Sequence, residues 1–316
     1  MNSFIIGYFN KNVGDELMLK SLMEKNKDRN YFINGCSEED LVVYRTWHKS
    51  VQKITSKIKS IFQCQEIIFI GGSLFQDYSD KAYIYYLKLF VFLFISRLMG
   101  KKIHILSSNF GPFKNRLTPV LVKLISKLCT SVIVRDKYSR DFSLCKNTIL
   151  SKDIVEELHL EKVNKENSII GVSVIDNKNW DEDRYLINLK CDILKEFNCE
   201  DIIRIFAFHS DDTKLCRRLE QMLKEEYKNL KVEIIEYDNL ECFLEKLIEV
   251  RYMFCSRFHS LILAINIGVP LSVYIYSNKV SNYLNTHYST SFKGISEEAN
   301  KVNYLKRESQ RSSYVI

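Results

Sequence analysis

Short apolar runs alternate with segments of helical periodicity along most of the chain. Runs such as Ile67–Ile70 contain no alternating polar residues, which is typical of strands covered on both faces in a parallel sheet. The predicted strands are Phe4–Phe9, Glu66–Ile70, Lys102–Ser107, Ser131–Val134, Ser168–Val174, Asp201–Phe208, Val232–Tyr237, Tyr252–Cys255 and Leu271–Tyr276. The predicted helices are Asp15–Lys25, Val51–Ile61, Ala82–Met99, Thr118–Leu128, Asp183–Phe197, Asp211–Tyr227, Leu240–Val250 and Phe258–Ile267. This alternation predicts an α/β fold with parallel sheets.

A charged stretch, Ser151–Asn167, interrupts the alternation midway along the chain. The series of strands and helices on either side is long enough to form a sheet of its own, and 316 residues exceed what one hydrophobic core usually supports. We therefore predict two Rossmann-like lobes with parallel sheets that face a cleft. Their predicted bounds are residues 1–155 and 165–290, followed by a polar tail at 291–316.

The composition favours a protein of a reducing compartment. The net charge is +7, with 46 basic residues distributed along the chain, which suits anionic small molecules or an anionic membrane surface. The sequence has no dense stripe of Lys and Arg, so nucleic acid is disfavoured as a partner. Nine cysteines form no CxxC pair, so the sequence predicts neither a zinc site nor a disulfide framework. The first residues, MNSFIIGYFN, lack a signal-peptide pattern, and we expect a cytoplasmic location.

The most hydrophobic segment is Leu87–Met99, which Lys88 and Arg97 interrupt. It is shorter than the ~20 residues that a membrane-spanning helix needs. A buried helix is the favoured interpretation. Peripheral contact with the cytoplasmic membrane face, through the aromatic segment around Phe90–Phe94, is the alternative.

Candidate chemistry lies where strands end, because open α/β sheets bind ligands beyond the carboxyl ends of their strands. After the first strand, Asn12-Val13-Gly14-Asp15-Glu16 leads into a helix whose N-terminus can bind an anion; a structural turn is the alternative. After the strand ending at Ile70, Gly71 and Gly72 allow close approach of a ligand or form a tight turn.

Two further segments carry arginines. Arg135 follows the strand Ser131–Val134 and can address a phosphate or carboxylate, although an ion pair with Asp136 or another carboxylate is the alternative. Arg257 and His259 stand at the start of a predicted helix, where the helix dipole favours an anion. A lone histidine beside an apolar helix is more often a core residue, but its position two residues from an arginine favours function.

These segments, in this order, resemble the polysaccharide pyruvyltransferase family. The matching motifs are the N-x-G-D-E segment at Asn12–Glu16, G-G-S-L-x-Q-D at Gly71–Asp77, R-D-x-x-S at Arg135–Ser139, R-x-H-S-L at Arg257–Leu261 and an aromatic-x-x-Lys segment at Tyr276–Lys279. The family's usual Q-G-I-G-P segment reads Ser108-Asn109-Phe110-Gly111-Pro112 in this chain. The resemblance implies a fold similar to the B-type glycosyltransferases.

The resemblance implies transfer of a pyruvyl group from phosphoenolpyruvate to a sugar, as a ketal, with no cofactor. It places the acceptor on the first lobe and phosphoenolpyruvate on the second. His259 would transfer the proton, Arg135 and Arg257 would hold the anionic groups, and Asp15 would orient a sugar hydroxyl. Other implied substrate contacts are Asn12, Gly14, Gly71, Gly72, Asp77, Phe258 and Lys279.

Two other functions fit the same sequence. A nucleotide-sugar glycosyltransferase of the same architecture would use the same glycine loops, and a non-catalytic homologue would only bind glycan. The sequence leaves open the acceptor sugar, its attachment to a lipid carrier, the oligomeric state and the group that protonates the enol methylene.

Overall fold

The structure is a computed structural model that describes residues 1–9, 11–54, 56–77, 79–158, 160, 168–177, 180–288 and 306–307. The chain forms two compact units. The first comprises residues 1–10 and 15–155, and the second comprises residues 11–14 and 156–316. The predicted tail at 291–316 lies outside the described residues except for a short strand at Lys306–Arg307.

The first unit is built on a seven-stranded parallel sheet. Its strands are β1 (Asn2–Ile6), β2 (Asn30–Ile33), β3 (Val51–Lys53), β4 (Glu66–Ile70), β5 (Lys102–Ser108), β6 (Ser131–Val134) and β7 (Thr148–Leu150), in the order β3-β2-β1-β4-β5-β6-β7. Its helices are α1 (Val13–Lys25), α2 (Glu38–Trp47), α3 (Lys57–Gln63), α4 (Ala82–Leu98), α5 (Thr118–Leu128) and α6 (Lys137–Phe142). Strand β4 is central and every residue in it is buried, which explains its unbroken apolar sequence.

The second unit contains a six-stranded sheet. Its strands are β8 (Ile169–Ser173), β9 (Ile202–Ala207), β10 (Lys231–Glu236), β11 (Tyr252–Cys255), β12 (Leu271–Val273) and β13 (Lys306–Arg307), in the order β10-β9-β8-β11-β12-β13. Only β13 runs antiparallel to its neighbour among these strands. The helices are α7 (Glu182–Glu196), α8 (Thr213–Glu226), α9 (Leu240–Leu247), α10 (Phe258–Asn266) and α11 (Asn278–His287).

The α/β prediction with parallel sheets is confirmed, but one predicted helix is wrong. Residues Val51–Lys53 form the edge strand β3, and the helix of this region begins only at Lys57. Strand β3 has one buried and two exposed residues, so it lacks the apolar run by which the other strands were predicted. Ser56 stops the strand pattern and caps α3 by accepting a hydrogen bond from the Ile58 N–H at 3.2 Å.

No helix in the described ranges is long and apolar enough to cross a membrane. Helix α4 is the longest of them, with 17 residues. It packs on the sheet of the first unit through Tyr86, Leu89 and Leu93, which belong to that unit's hydrophobic core.

Candidate functional site

Three adjacent strands of the second unit carry polar groups at their carboxyl ends. Strand β8 ends in Ser173, β9 leads into His209 and Asp212, and β11 leads into Ser256 and Arg257. These strands are neighbours in the sheet order β9-β8-β11, so their ends lie at one edge. This is the edge at which open α/β sheets bind ligands.

Serine hydroxyls fix the turn from β11 into α10. Ser173 Oγ accepts hydrogen bonds from the backbone N–H of Ser256 at 2.8 Å and of Arg257 at 3.3 Å. Ser173 Oγ and Ser260 Oγ lie 2.7 Å apart, and Ser260 Oγ donates to the Arg257 carbonyl at 2.7 Å. Tyr185 donates its hydroxyl proton to Ser256 Oγ at 2.7 Å. The backbone that precedes the helix is therefore held from three sides.

Alternation of buried and exposed side chains brings two residues of this turn to the surface. Ser256, Phe258 and Ser260 are buried, whereas Arg257 and His259 are partly exposed. A guanidinium and an imidazole thus belong to the first residues at the N-terminus of a nine-residue helix, where the helix dipole favours anions.

Arg257 is held by a carboxylate that the sequence analysis did not select. Its Nε donates to Asp212 Oδ2 at 3.0 Å and its Nη2 donates to Asp212 Oδ1, which makes a bidentate ion pair. Asp212 is fully buried, and it also accepts the backbone N–H of His209 at 3.1 Å. The sequence does offer a signal for this carboxylate, because an acidic pair at 211–212 follows soon after a strand. The same pair is also typical of the start of a helix.

The pair leaves one edge of the guanidinium available. Within the part of the chain that the structure describes, no hydrogen bond is made by Nη1 of Arg257, and the side chain is 26% exposed. Burial opposes the charge on Arg257, but the neighbouring Asp212 outweighs this effect and the pKa of the guanidinium lies above its ordinary value. Arg257 therefore remains charged and can bind a second anion through its outer edge.

His259 packs against Gly14, the second residue of α1. A Cβ added to Gly14 would lie well inside 3.0 Å of the imidazole Nδ1, so only glycine leaves room for the ring. Asn12 fixes this glycine, because its Oδ1 accepts the Gly14 N–H at 3.1 Å and its backbone pairs with His209. The Val13 N–H also donates to the Phe208 carbonyl at 3.2 Å. Asn12 and Gly14 thus support the imidazole, and direct substrate contact by either stays a prediction.

Phe258 and Lys279 flank this site in different ways. Phe258 is 3% exposed and packs edge-on against both His259 and Tyr283, so it supports the imidazole from within the core. Substrate contact by Phe258 stays a prediction. Lys279 Nζ lies 5.3 Å from the centre of the Tyr276 ring at the start of α11. Tyr276 is also one of the groups that raise the pKa of Arg257. Substrate contact by Lys279 stays a prediction.

Arg135, in the first unit, does not present its guanidinium to solvent. The residue is 1% exposed, its Nη1 pairs with buried Asp153, and its Nε donates to Asn109 Oδ1 at 3.0 Å. The enclosed guanidinium forms the internal ion pair that was the alternative, and a direct anion contact by Arg135 stays a prediction. A Cβ on Gly72 would collide with Arg135 Nη2, so Gly72 gives this guanidinium its place.

The rest of the R-D-x-x-S motif is a helix cap. Asp136 Oδ1 accepts the Ser139 N–H at 2.8 Å and thereby caps α6. Ser139 Oγ in turn donates to Asp136 at 2.9 Å and accepts the Phe110 N–H at 2.9 Å. Asn109 joins Arg135 to Asp136, so the segment that departs from the family pattern completes a buried network.

Gly71, Asp15 and Asp77 occupy other positions of the first unit. Gly71 has φ +144°, which favours glycine, and a Cβ on it would lie 3.2 Å from Asp15 Oδ1. Asp15 is 7% exposed in the first turn of α1. Asp77 Oδ1 accepts the N–H groups of Lys114 at 2.6 Å and Asn115 at 3.3 Å. Asp77 therefore anchors a loop, and the substrate roles of Gly71, Gly72, Asp15 and Asp77 stay predictions.

Comparison with known proteins identifies the family. The family model described as polysaccharide pyruvyl transferase matches residues 12–278, and these include the motifs quoted above up to Leu261 and all but the last residue of the Tyr276–Lys279 segment. A search of curated proteins gave no significant match.

Solved structures establish the fold class. HepE of Anabaena with UDP-glucose is similar at a TM-score of 0.57 and 13% identity, over 85% of this chain and 79% of that one. The UDP-GlcNAc 2-epimerase of Neisseria meningitidis with UDP-GlcNAc has a TM-score of 0.55 and 11% identity, over 90% and 85%. A putative UDP-N-acetylglucosamine 2-epimerase of Listeria monocytogenes has a TM-score of 0.58 and 8% identity, over 90% and 81%. The two parallel-sheet units thus have the Rossmann-like architecture of B-type glycosyltransferases and epimerases.

Proposed function

Because the chain belongs to the polysaccharide pyruvyl transferase family, we propose that it transfers a pyruvyl group from phosphoenolpyruvate to a sugar. The acceptor is a unit of a cell-surface polysaccharide or of its lipid-linked precursor. The product is a cyclic ketal of pyruvate, and inorganic phosphate is released. The observation that carries this proposal is the pair of partly exposed side chains, Arg257 and His259, at the start of α10.

The site chemistry suits this donor. Phosphoenolpyruvate carries a carboxylate and a phosphate, and the outer edge of Arg257 offers planar donors for one of them. Asp212 keeps the guanidinium oriented and charged while that edge stays available. Arg135 is left out of the direct contacts, since Asp153 and Asn109 already enclose it.

The reaction needs two proton movements. The methylene carbon of the enol gains one proton and becomes the methyl group of the ketal. Two sugar hydroxyls form C–O bonds to the central carbon and lose their protons, and the bond from that carbon to the phosphate oxygen breaks. One of the two lost protons balances the methyl group, and the other leaves with the phosphate. His259 is the group we assign to proton transfer, because the unperturbed pKa of histidine lies near neutrality. Asp15 is assigned to orient a sugar hydroxyl.

The test measures phosphate release from phosphoenolpyruvate with a panel of hexose and N-acetylhexosamine acceptors, and identifies the pyruvylated sugar by mass spectrometry. We expect His259→Ala to lower turnover by about 10²–10⁴-fold, the usual contribution of a positioned acid or base. Arg257→Lys keeps the charge but loses the planar donors, and we expect weaker binding of phosphoenolpyruvate. Arg217→Gln serves as the control, since Arg217 is 69% exposed on another helix of the unit.

The same experiment separates the other two functions. Turnover of a UDP-sugar without any response to phosphoenolpyruvate would identify a glycosyltransferase and refute the proposal. Tight binding of glycan with turnover of neither donor would identify a non-catalytic homologue. Normal turnover in His259→Ala would remove the imidazole from the mechanism.

A further inference from the structure

Helix α4 is apolar on two opposite sides. One side carries Tyr86, Leu89 and Leu93 into the core of the first unit. The other side is exposed and follows the same spacing of three and four residues; it consists of Leu87, Val91, Phe94, Ile95 and Leu98, which are 45–74% exposed. Burial in the core of the first unit accounts for the apolar residues on the first side. The apolar residues on the second side take no part in that core.

Helix α5 extends this exposed apolar surface. Its exposed apolar side chains are Val120 and Leu124, at 54% and 38% exposure, and Leu117, directly before the helix, is 56% exposed. Helices α4 and α5 pack side by side and connect three consecutive parallel strands, β4, β5 and β6. Right-handed crossovers in one direction place both helices on the same face of the sheet, so their outer sides point the same way. We call these eight side chains the α4–α5 face.

The segment of the chain that contains this face carries charges of one sign only. No Asp or Glu occurs between residues 81 and 135, whereas ten Lys and Arg do. The whole chain has 46 basic and 39 acidic residues, so the remainder, with 36 and 39, has a net charge of −3. Lys88, Arg97, Lys102, Arg116 and Lys127 in this acid-free segment are all exposed. The basic residues are spread along the whole chain. The excess of positive charge in this segment is therefore seen only from its lack of acidic residues.

We propose that the α4–α5 face docks the protein on an anionic lipid bilayer. The exposed apolar stripe would enter the interface between head groups and acyl chains, and the surrounding cations would pair with anionic head groups. Exposed apolar patches of this kind, bordered by polar residues, are typical of interaction surfaces. The proposal stands independently of the reaction assigned to the second unit.

A second copy of the chain is a poorer occupant of the same face. A two-fold interface would place the face against itself and so bring its cations opposite one another. The acid-free segment offers no carboxylate to compensate them, and like charges in contact oppose association. Anionic lipid instead supplies both the apolar phase and the opposite charge.

The first test replaces exposed apolar side chains of α4. We expect the wild-type chain to sediment with vesicles of phosphatidylcholine and phosphatidylglycerol in equal parts, and far less with phosphatidylcholine alone. Phe94→Ser with Leu98→Ser should lower the partition coefficient by about tenfold for each side chain. The matched control is Val42→Ser on α2 with Ile187→Ser on α7, which are 62% and 49% exposed. Helix α2 leads from β2 to β3, in the opposite direction along the sheet, and so lies on its other face, and α7 belongs to the second unit. Phe92 is unsuitable, since it packs against the core.

The second test replaces cations. Lys88→Gln with Arg97→Gln should lower binding to the anionic vesicles about thirtyfold, or about fivefold for each charge. Arg217→Gln with Lys224→Gln removes the same charge from α8 and should leave binding unchanged. Because the changed side chains are exposed, far-ultraviolet circular dichroism should match the wild-type chain in every variant.

Three results would overturn the proposal. They are no binding to anionic vesicles, equal loss in the control and face variants, or a dimer in light scattering that Phe94→Ser with Leu98→Ser dissociates. Phosphate release with a soluble sugar acceptor should be unchanged in the face variants. Failure of vesicle binding with normal turnover would refute the docking surface alone, and the reverse result would refute the proposed reaction alone.

Discussion

Gly14→Ala tests the contact on which the position of the His259 imidazole depends. The added methyl group would lie well inside 3.0 Å of His259 Nδ1, so either the ring or the start of α1 has to move. Overpacking of this kind typically costs about 1–3 kcal/mol. The substitution also replaces glycine near the start of α1, where alanine is intrinsically better by up to about 1 kcal/mol. The two effects have opposite signs.

A double-mutant cycle separates them. In the wild-type background we expect Gly14→Ala to lower the free energy of unfolding by about 1–2 kcal/mol, because the collision outweighs the helix propensity. In the His259→Ala background the ring is absent, and the same substitution should be neutral or stabilising. The coupling energy should therefore be about 1–3 kcal/mol. Urea unfolding followed by circular dichroism measures all four proteins.

Turnover provides a second measurement on the same variants. Gly14→Ala should lose most of its phosphate release from phosphoenolpyruvate, since the displaced imidazole no longer stands in its place. Equal stability changes in both backgrounds, together with normal turnover of Gly14→Ala, would refute the reasoning. Such a result would mean that the ring does not pack on the glycine.

Three further predictions follow from other contacts of the two units. Asp153→Asn removes the counter-charge of buried Arg135 and should cost about 3–5 kcal/mol in urea unfolding; a loss below 1 kcal/mol would contradict a fully buried pair. Asp212→Asn should weaken the orientation of Arg257 and raise the KM for phosphoenolpyruvate by about 10–100-fold, with stability measured alongside to separate binding from folding. Burial lowers the pKa of His104 from its ordinary 6.5, although Glu66 opposes this effect. The unfolded chain thus binds the proton more tightly, so the stability contributed by His104 is present above pH 6.5 and lost as the pH falls below it. Proton NMR titration of the ring, with unfolding curves of His104→Gln as reference, checks both the direction and the pH range.

The parallel strands were predictable because burial on both faces leaves an unbroken apolar signature. Strands β4, β6 and β11 have the predicted bounds, and β11 is buried at every position. Strands β2 and β3 were not predicted, because their exposed positions carry polar residues and interrupt the apolar run. Strand pairing, not local composition, makes an edge strand of Val51–Lys53.

The site was predictable in part, for the same physical reason. Arg257 and His259 alternate with buried neighbours across a strand–helix turn, so their spacing alone brings them to the surface together. Arg135 also follows a strand, but its partner Asp153 is 18 residues away, and no local pattern reveals that ion pair. Asp212 was missed because its partner Arg257 is 45 residues distant in sequence.

Residues 11–14 belong to the second unit although they lie near the amino terminus, and this limits how the protein can be divided into fragments. A fragment that begins at residue 156 would contain Arg257 and His259 but not the glycine on which the imidazole rests. Chimaeras between relatives would inherit mismatched partners if they were joined only near residue 155. A functional exchange of the half that contains Arg257 and His259 would need two crossover regions, one of them around this tetrapeptide near the amino terminus.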